Sequence, residues 1–272
     1  MLIPVLSKLA SESLLSLYPI FVKKIGLSMT LQMWTRTLAY VLISALFVNW
    51  SMVSGALLTK EGIGLALVNL VHVFFSYEGF KHLDSGVSFA IFNTYPLMIL
   101  LLSGATWKTA YAFVLLALGF FVYDEMGQTK MSSPNPDFVY GLAMILLAAL
   151  TEAFIYFLVK MVKTTNHWNH VFISYALGLV AMTLYMINNE NVGEVFTNVR
   201  VGIATALNGF IGSVGYFLRF YAAYRLDAGI YSVLSYFGII MSYVYGILFN
   251  NETLTLWKVL GTISVFVSKA LL

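Results

Sequence analysis

The chain has 272 residues, of which 60% are apolar and only 10% are Asp, Glu, Lys or Arg, whereas a soluble domain runs at roughly 45–50% apolar and about 25% charged. That composition excludes an ordinary soluble domain. A formal net charge of +3 without a Lys/Arg-rich run leaves no footprint for a nucleic-acid partner, and the absence of cysteine excludes disulfides and thiolate metal sites.

The few charges cluster at Lys23-Lys24, Lys60-Glu61, Asp124-Glu125, Lys160 to Lys163 and Glu190 to Arg200, and the apolar runs between them are of roughly 20 residues, the length of a membrane span. Lipid supplies no partner for backbone N–H or C=O groups, so such long continuous runs must be helical. In chain order the predicted spans are 2–22, 28–50, 61–81, 84–103 and 107–123, then 137–159, 170–187, 200–222, 228–249 and 255–271. The N-terminus has neither the basic stretch nor the cleavage site of a signal peptide and is read as a retained first helix. The expected fold class is an all-α, multi-pass integral membrane protein of ten transmembrane helices. Its linker, Asp124 to Asp137, carries Gly127, Ser132-Ser133 and Pro134-Asn135-Pro136. This divides the chain into a first five-helix unit at 1–123, a connecting loop at 124–136 and a second five-helix unit at 137–272.

An internal repeat is visible where Phe80-Lys-His-Leu-Asp-Ser-Gly86 aligns with Ala223-Tyr-Arg-Leu-Asp-Ala-Gly229, at the same helix-to-helix junction of each half. Weaker echoes pair Ser11-Glu12-Ser13 with Thr151-Glu152-Ala153, and Trp107-Lys108 with Trp257-Lys258. An odd number of helices per half turns the second half upside down, giving inverted repeats around a shared site near the bilayer midplane.

From Ser76 through Asn93, Tyr95 and Pro96, and in the echo from Arg219 to Gly238 followed by Glu252 and Trp257, the chain resembles the EamA-like branch of the drug/metabolite transporter superfamily. The resemblance extends over essentially the whole sequence. It implies inverted five-helix repeats, cytosolic termini and a cavity lined by helices one to four and six to nine. It also implies a secondary transporter, an exporter or exchanger, of a small metabolite such as an amino acid or a related polar or cationic solute. Pro96 is the candidate gating kink of helix four; its counterpart in helix nine is Ile239, beside Gly238, so the second half lacks the proline common in the family.

Inside the predicted spans lie Glu12, Arg36, His72, Glu78 and Glu152, with Arg219 nearer a helix end. Each costs roughly 2.5–3.5 kcal/mol or more if charged and lipid-facing, so each should face the bundle or water. Asn69, His72, Ser76 and Gly79 form one helical stripe, and Asn208, Gly212, Gly215 and Arg219 another. These stripes either line a cavity or serve as close-packing faces. Glu12, on a stripe with Lys8 and Ser16, resembles the first-helix glutamate of the four-helix small multidrug-resistance proteins, which alternately binds a proton or a cationic substrate; Glu152 is its counterpart in the repeat. Depth along the helices pairs Arg36 with Glu12 and Arg219 with Glu152, so each acid is either a salt-bridge partner or a substrate- or proton-binding group. Glu78 is expected to snorkel or to pair with Lys81. Asn93 and its repeat counterpart Tyr236 are candidate neutral contacts, while most other aromatic residues are expected at the lipid or its interfaces.

His167 and His170 fall in a predicted loop and supply no ligand cluster, so neither a metal nor another cofactor is expected. The sequence has no nucleophile elbow, His-x-x-x-His pair or phosphate-binding loop, which argues against an enzyme and against direct ATP drive. The expected partners are a small solute and the lipid bilayer, with proton coupling an open alternative and the chain acting as monomer or homodimer. The competing reading is a non-transporting assembly partner or channel subunit.

Overall fold

Backbone N–H groups with no water to bond must close on their own helix, and in the computed structural model, which describes residues 2–104, 108–129, 133–164 and 166–270, regular structure is helical throughout. The segments are α1 (Leu2–Leu15), α2 (Tyr18–Lys24), α3 (Met29–Ala45), α4 (Trp50–Ala56), α5 (Lys60–His82), α6 (Ser85–Phe92), α7 (Tyr95–Leu102) and α8 (Lys108–Thr129). They continue as α9 (Pro136–Met161), α10 (His167–Asn189), α11 (Glu194–Thr197), α12 (Val199–Arg225), α13 (Ala228–Ser235), α14 (Phe237–Asn250) and α15 (Leu256–Ala270). Side-chain caps explain many of the starts: Ser28, Asn49, Thr59, Asn166, Asn198 and Asp227 each accept a first-turn N–H.

With α1–α2, α6–α7 and α13–α14 each counted as one unit, eight helices among the described residues are long and apolar enough to cross a membrane. α3, at 17 residues, and α15, at 15, are shorter. Side chains such as Leu42, Leu46, Leu67, Val71, Leu115 and Ile187 stand exposed on the outside, whereas charged groups are buried inside. That inversion of the soluble pattern is what lipid as solvent demands.

The boundaries differ from expectation in physically instructive ways. α8 continues through Asp124 to Thr129, so the first part of the expected linker is helix. α10 begins at His167, capped by Asn166, which puts His167 and His170 on a helix rather than in a loop. Trp107, Ser132 and Leu271, used in the sequence reading, lie outside the described residues.

Three predicted spans are broken. The α1–α2 break precedes Pro19 and the α6–α7 break precedes Pro96, each proline removing the N–H that would bond the carbonyl four residues back. The α13–α14 break at Tyr236 has no proline; there Ile239 N–H turns to Tyr236 O at 3.1 Å, a tighter turn than an α-helix makes. Helix nine is therefore interrupted at the register of Asn93 even though Ile239 stands where Pro96 does.

Both Leu-Asp junctions have one geometry. Leu83 and Leu226 end α5 and α12 in extended conformation, and Asp84 and Asp227 begin α6 and α13, each of eight residues. Packing follows the same pairing: α1 lies on α12 and α5 on α9, while α3 packs on α10 and α8 on α15.

The end of the bundle where α2 stops is tied by ion pairs. Lys258 Nζ lies 2.6 Å from Asp84 and 3.8 Å from Asp124. Lys23 meets Glu252 at 2.9 Å, and Glu252 also accepts from Ser85 N (2.7 Å) and Ser85 Oγ (2.6 Å) at the start of α6. Glu78 lies 3.6 Å from His82, one helical turn on, rather than pairing with Lys81 as expected, although both spacings fall on its helical face.

Burial alone would raise the Glu252 carboxyl, but Lys23 and the hydrogen bonds from Ser85 and Asn250 outweigh it and hold the group below the ordinary carboxylate range. A lowered folded-state value contributes stability that is present above the unfolded value and lost as pH falls through the folded one. The melting-temperature gap between wild type and Glu252→Gln should therefore be full at neutral pH and close on acidification below the ordinary range. A gap independent of pH would rule this out.

Candidate functional site: a buried ion cluster at the bundle centre

A single charge cannot be left alone in a low-dielectric interior, and here four charges alternate in sign. Lys8 and Glu12, one helical turn apart on α1, meet at 2.6 Å. Glu12 Oε1 also receives Arg219 of α12 at 2.9 Å, and the other end of that guanidinium donates to Glu152 of α9 at 2.7 Å. His72 of α5 closes the row, with Nε2 3.3 Å from Glu152 Oε2 and 3.2 Å from Tyr216 OH, and Nδ1 3.1 Å from Ala148 O. All five side chains are at most 3% exposed.

The helix approach that allows this is set by small residues. Ser11 donates to Gly215 O at 2.8 Å, fastening α1 to α12, and a Cβ at Gly215 would sit 2.7 Å from Leu15. Glu12 Oε2 lies against Gly238 of α14, where a Cβ would come within 2.6 Å of it. Among the described residues, Glu12 Oε2, Glu152 Oε2 and Arg219 Nε have no hydrogen-bond partner.

Lys8 also ties the cluster to two helix breaks. Its ammonium donates to Tyr95 OH at 3.0 Å and lies 3.7 Å from the centre of the Tyr231 ring, while Tyr95 OH meets Ser235 Oγ at 2.7 Å. Tyr95 opens α7 beside Pro96 and Ser235 ends α13 beside Tyr236, so two interrupted helices meet over one cation.

Arg36 of α3 is the surprise. Sequence depth pairs it with Glu12, yet among the described residues it has no carboxylate partner. It donates from Nε to Tyr40 OH at 3.0 Å and sits among the rings of Tyr18 (4.1 Å), Tyr40 (5.2 Å), Tyr77 (5.3 Å) and Tyr216 (5.6 Å). The Tyr18 and Tyr40 hydroxyls are in contact. Arg219 instead serves both acids, because its forked guanidinium can meet two carboxylates at once.

The other singled-out residues lie around this core. Asn208 donates to Tyr77 OH at 3.2 Å. Asn93 spends its amide on Phe89 O at 2.9 Å, at the helix break. Tyr236 faces α15, donating to Val265 O at 3.3 Å and packing edge-on against Phe266. Sequence reasoning named Lys8 only as a stripe neighbour of Glu12; their four-residue spacing was the available signal. It also placed most of the aromatic residues other than Tyr236 at the lipid or its interfaces, whereas Tyr18, Tyr40, Tyr77, Tyr95, Tyr216 and Tyr231 are buried around the charges, where their hydroxyls find partners that lipid would not provide.

A small cavity is lined by Arg36 and Arg219, by the polar groups of Tyr18, His72, Ser76 and Tyr216, and by the apolar Leu15, Phe80, Phe89 and Phe92. Its space for water centres is about 10 Å³, room for about one water, so the site is occluded in this conformation. Among the described residues no group of three His, Asp or Glu side chains could hold a metal ion.

An apolar-surfaced helical bundle with desolvated ions at its centre is a multi-pass integral membrane protein. Residues 139–272 match the model of the EamA-like transporter family, and this stretch belongs to that family, part of the drug/metabolite transporter superfamily of membrane transporters for small solutes. A protein of known crystal structure superimposes on 98% of this chain and 94% of its own with a TM-score of 0.61 at 15% identity, a likeness of fold. A search of curated protein sequences finds no match.

Proposed function

We propose that the chain is a secondary transporter of a small solute working by alternating access, with the Lys8–Glu12–Arg219–Glu152–His72 cluster and Arg36 at its central site. The observation that carries this reading is the placement of the cluster: its groups come from both halves of the chain and touch two interrupted helices through Tyr95 and Ser235. Interrupted helices beside buried polar groups are the common means by which transporters form a site that both sides can reach in turn.

In this reading α3 and α15 join the eight longer helices to make ten spans, arranged as inverted units at 1–123 and 137–272. The matched Leu-Asp junctions and the reciprocal packing of α1 on α12 and α5 on α9 support that symmetry. Pro96 and the break at Tyr236 are then the two gating joints, and the Lys258 and Lys23 ion pairs close one end. Both acids are engaged by Arg219, an arrangement that favours a bracing role over proton exchange.

The test is solute flux by the purified protein in sealed liposomes, with and without a proton gradient, over amino acids, nucleosides, sugar phosphates, organic acids and cationic drugs. Saturable, protein-dependent flux of at least one class is expected. Absence of any flux would favour a non-transporting assembly partner.

A further inference from the structure

The charges around the central cavity do not balance. Three cations, Lys8, Arg36 and Arg219, stand against two carboxylates, Glu12 and Glu152. His72 does not alter the sign: uncharged it leaves the excess positive, and protonated it enlarges it. The tyrosine rings around Arg36 offer it hydroxyls and π-faces but no carboxylate.

The excess is also directional. Arg36 and Arg219 both line the cavity, while neither Glu12 nor Glu152 does. Glu12 Oε2 is turned toward Gly238, and Arg219 Nε is buried without a hydrogen-bond partner. Phe80, Phe89 and Phe92 add phenyl surface to the same cavity, with the Arg219 guanidinium 5.9 Å from the centre of the Phe92 ring.

We propose that the cargo is a small organic monoanion, a carboxylate seated between Arg36 and Arg219 with its apolar body against Phe80, Phe89 and Phe92. This rests on the transporter reading above and narrows its substrate class. A carboxylate there neutralises the excess charge and meets planar donors whose geometry suits it. A cationic solute would add a like charge to a desolvated site. An amino acid brings a carboxylate but also an ammonium, for which this cavity provides no acidic wall. The cavity holds about one water when closed, so loading requires Phe89 and Phe92 of α6 to move away with the jointed α6–α7 pair while Phe80 stays on α5.

The full-length protein in liposomes should be given one phenyl-bearing body with four different charge patterns: phenylpyruvate as the anion, its neutral amide, phenylalanine as the zwitterion and phenethylamine as the cation. Chloride serves as an inorganic anion. Phenylpyruvate is expected to be transported and to compete at least about tenfold better than the other three organic probes, the difference one charge-assisted hydrogen bond makes. Arg36→Gln should lose about tenfold of that preference and Arg36→Lys should keep part of it. To keep the test independent of whether Arg36→Gln folds, the melting temperature of the detergent-solubilised wild type is followed as well; phenylpyruvate should raise it and the amide should not.

Preferred movement of the amine, the amide or phenylalanine would overturn the anion proposal while leaving transport standing. Movement of chloride alone would overturn the organic body. Stabilisation by phenylpyruvate without any flux would keep the anion site and remove the transporter reading. Neither flux nor stabilisation by any probe would remove both, and a folded Arg36→Gln with wild-type preference would overturn the assignment of Arg36.

Discussion

Replacing Arg219 by glutamine is expected to destabilise the protein by about 3–5 kcal/mol, the range for removing one partner of a buried ion pair. The cost arises from what is left behind. Glu152 loses the guanidinium at 2.7 Å and keeps only His72, while Glu12 loses the contact at 2.9 Å but retains Lys8 at 2.6 Å. The two acids are therefore unequal, and a second substitution distinguishes them. Glu152→Gln added to Arg219→Gln removes one charge of each sign and leaves the Lys8–Glu12 pair intact, so it should restore more than half of the lost stability. Glu12→Gln added to Arg219→Gln strands Lys8 and Glu152 without each other and should restore little. Thermal unfolding of the purified variants in one detergent measures both cycles. Equal rescue by the two, or additivity in both, would show that the charges are not organised as the distances indicate.

The second large effect is expected at Gly79. A Cβ built there would lie 2.8 Å from Ile145 Cβ and 3.0 Å from the Ile145 backbone nitrogen, and across the same α5–α9 contact a Cβ on Gly141 would lie 2.7 Å from His82 Cβ. Between helices in lipid, attraction comes mainly from close packing, which small residues permit. Gly79→Val must push the backbones apart because the atoms it meets are the Ile145 backbone nitrogen and the Cβ fixed to that backbone, and overpacking of this kind costs about 1–3 kcal/mol and occasionally more. We expect about 3 kcal/mol. Gly119, also helical, has nothing within 4 Å of its built Cβ; Gly119→Ala should be neutral or stabilising by up to about 1 kcal/mol. Matching melting temperatures for the two variants would refute the close-contact account.

How much of this was legible beforehand follows from the solvent. Charge is so costly in lipid that the few ionisable residues in the apolar runs identify themselves, and Glu12, Arg36, His72, Glu152 and Arg219 all prove to be buried. Which way each helix turns was much harder to read. When lipid and interior are both apolar, a helix such as α8 or α6 carries little facial contrast, and tyrosines that suit a membrane interface suit a buried polar centre equally well. Depth counted along straight helices matched Arg219 with Glu152 but misplaced Arg36, since a rise of about 1.5 Å per residue says nothing about rotation or crossing.

The sequence by itself determined that this is a helical membrane protein, which apolar runs are helical, where the Leu-Asp junctions fall and which charges had to be hidden. It did so because backbone satisfaction and desolvation act on every residue locally. Only the tertiary structure decided that Arg219 spans both acids, that Lys8 connects them to the breaks at Pro96 and Tyr236, and that Arg36 remains without a carboxylate. Those assignments depend on side chains from five or more separate helices meeting within about 3 Å, a condition set by crossing geometry and close packing rather than by any one segment.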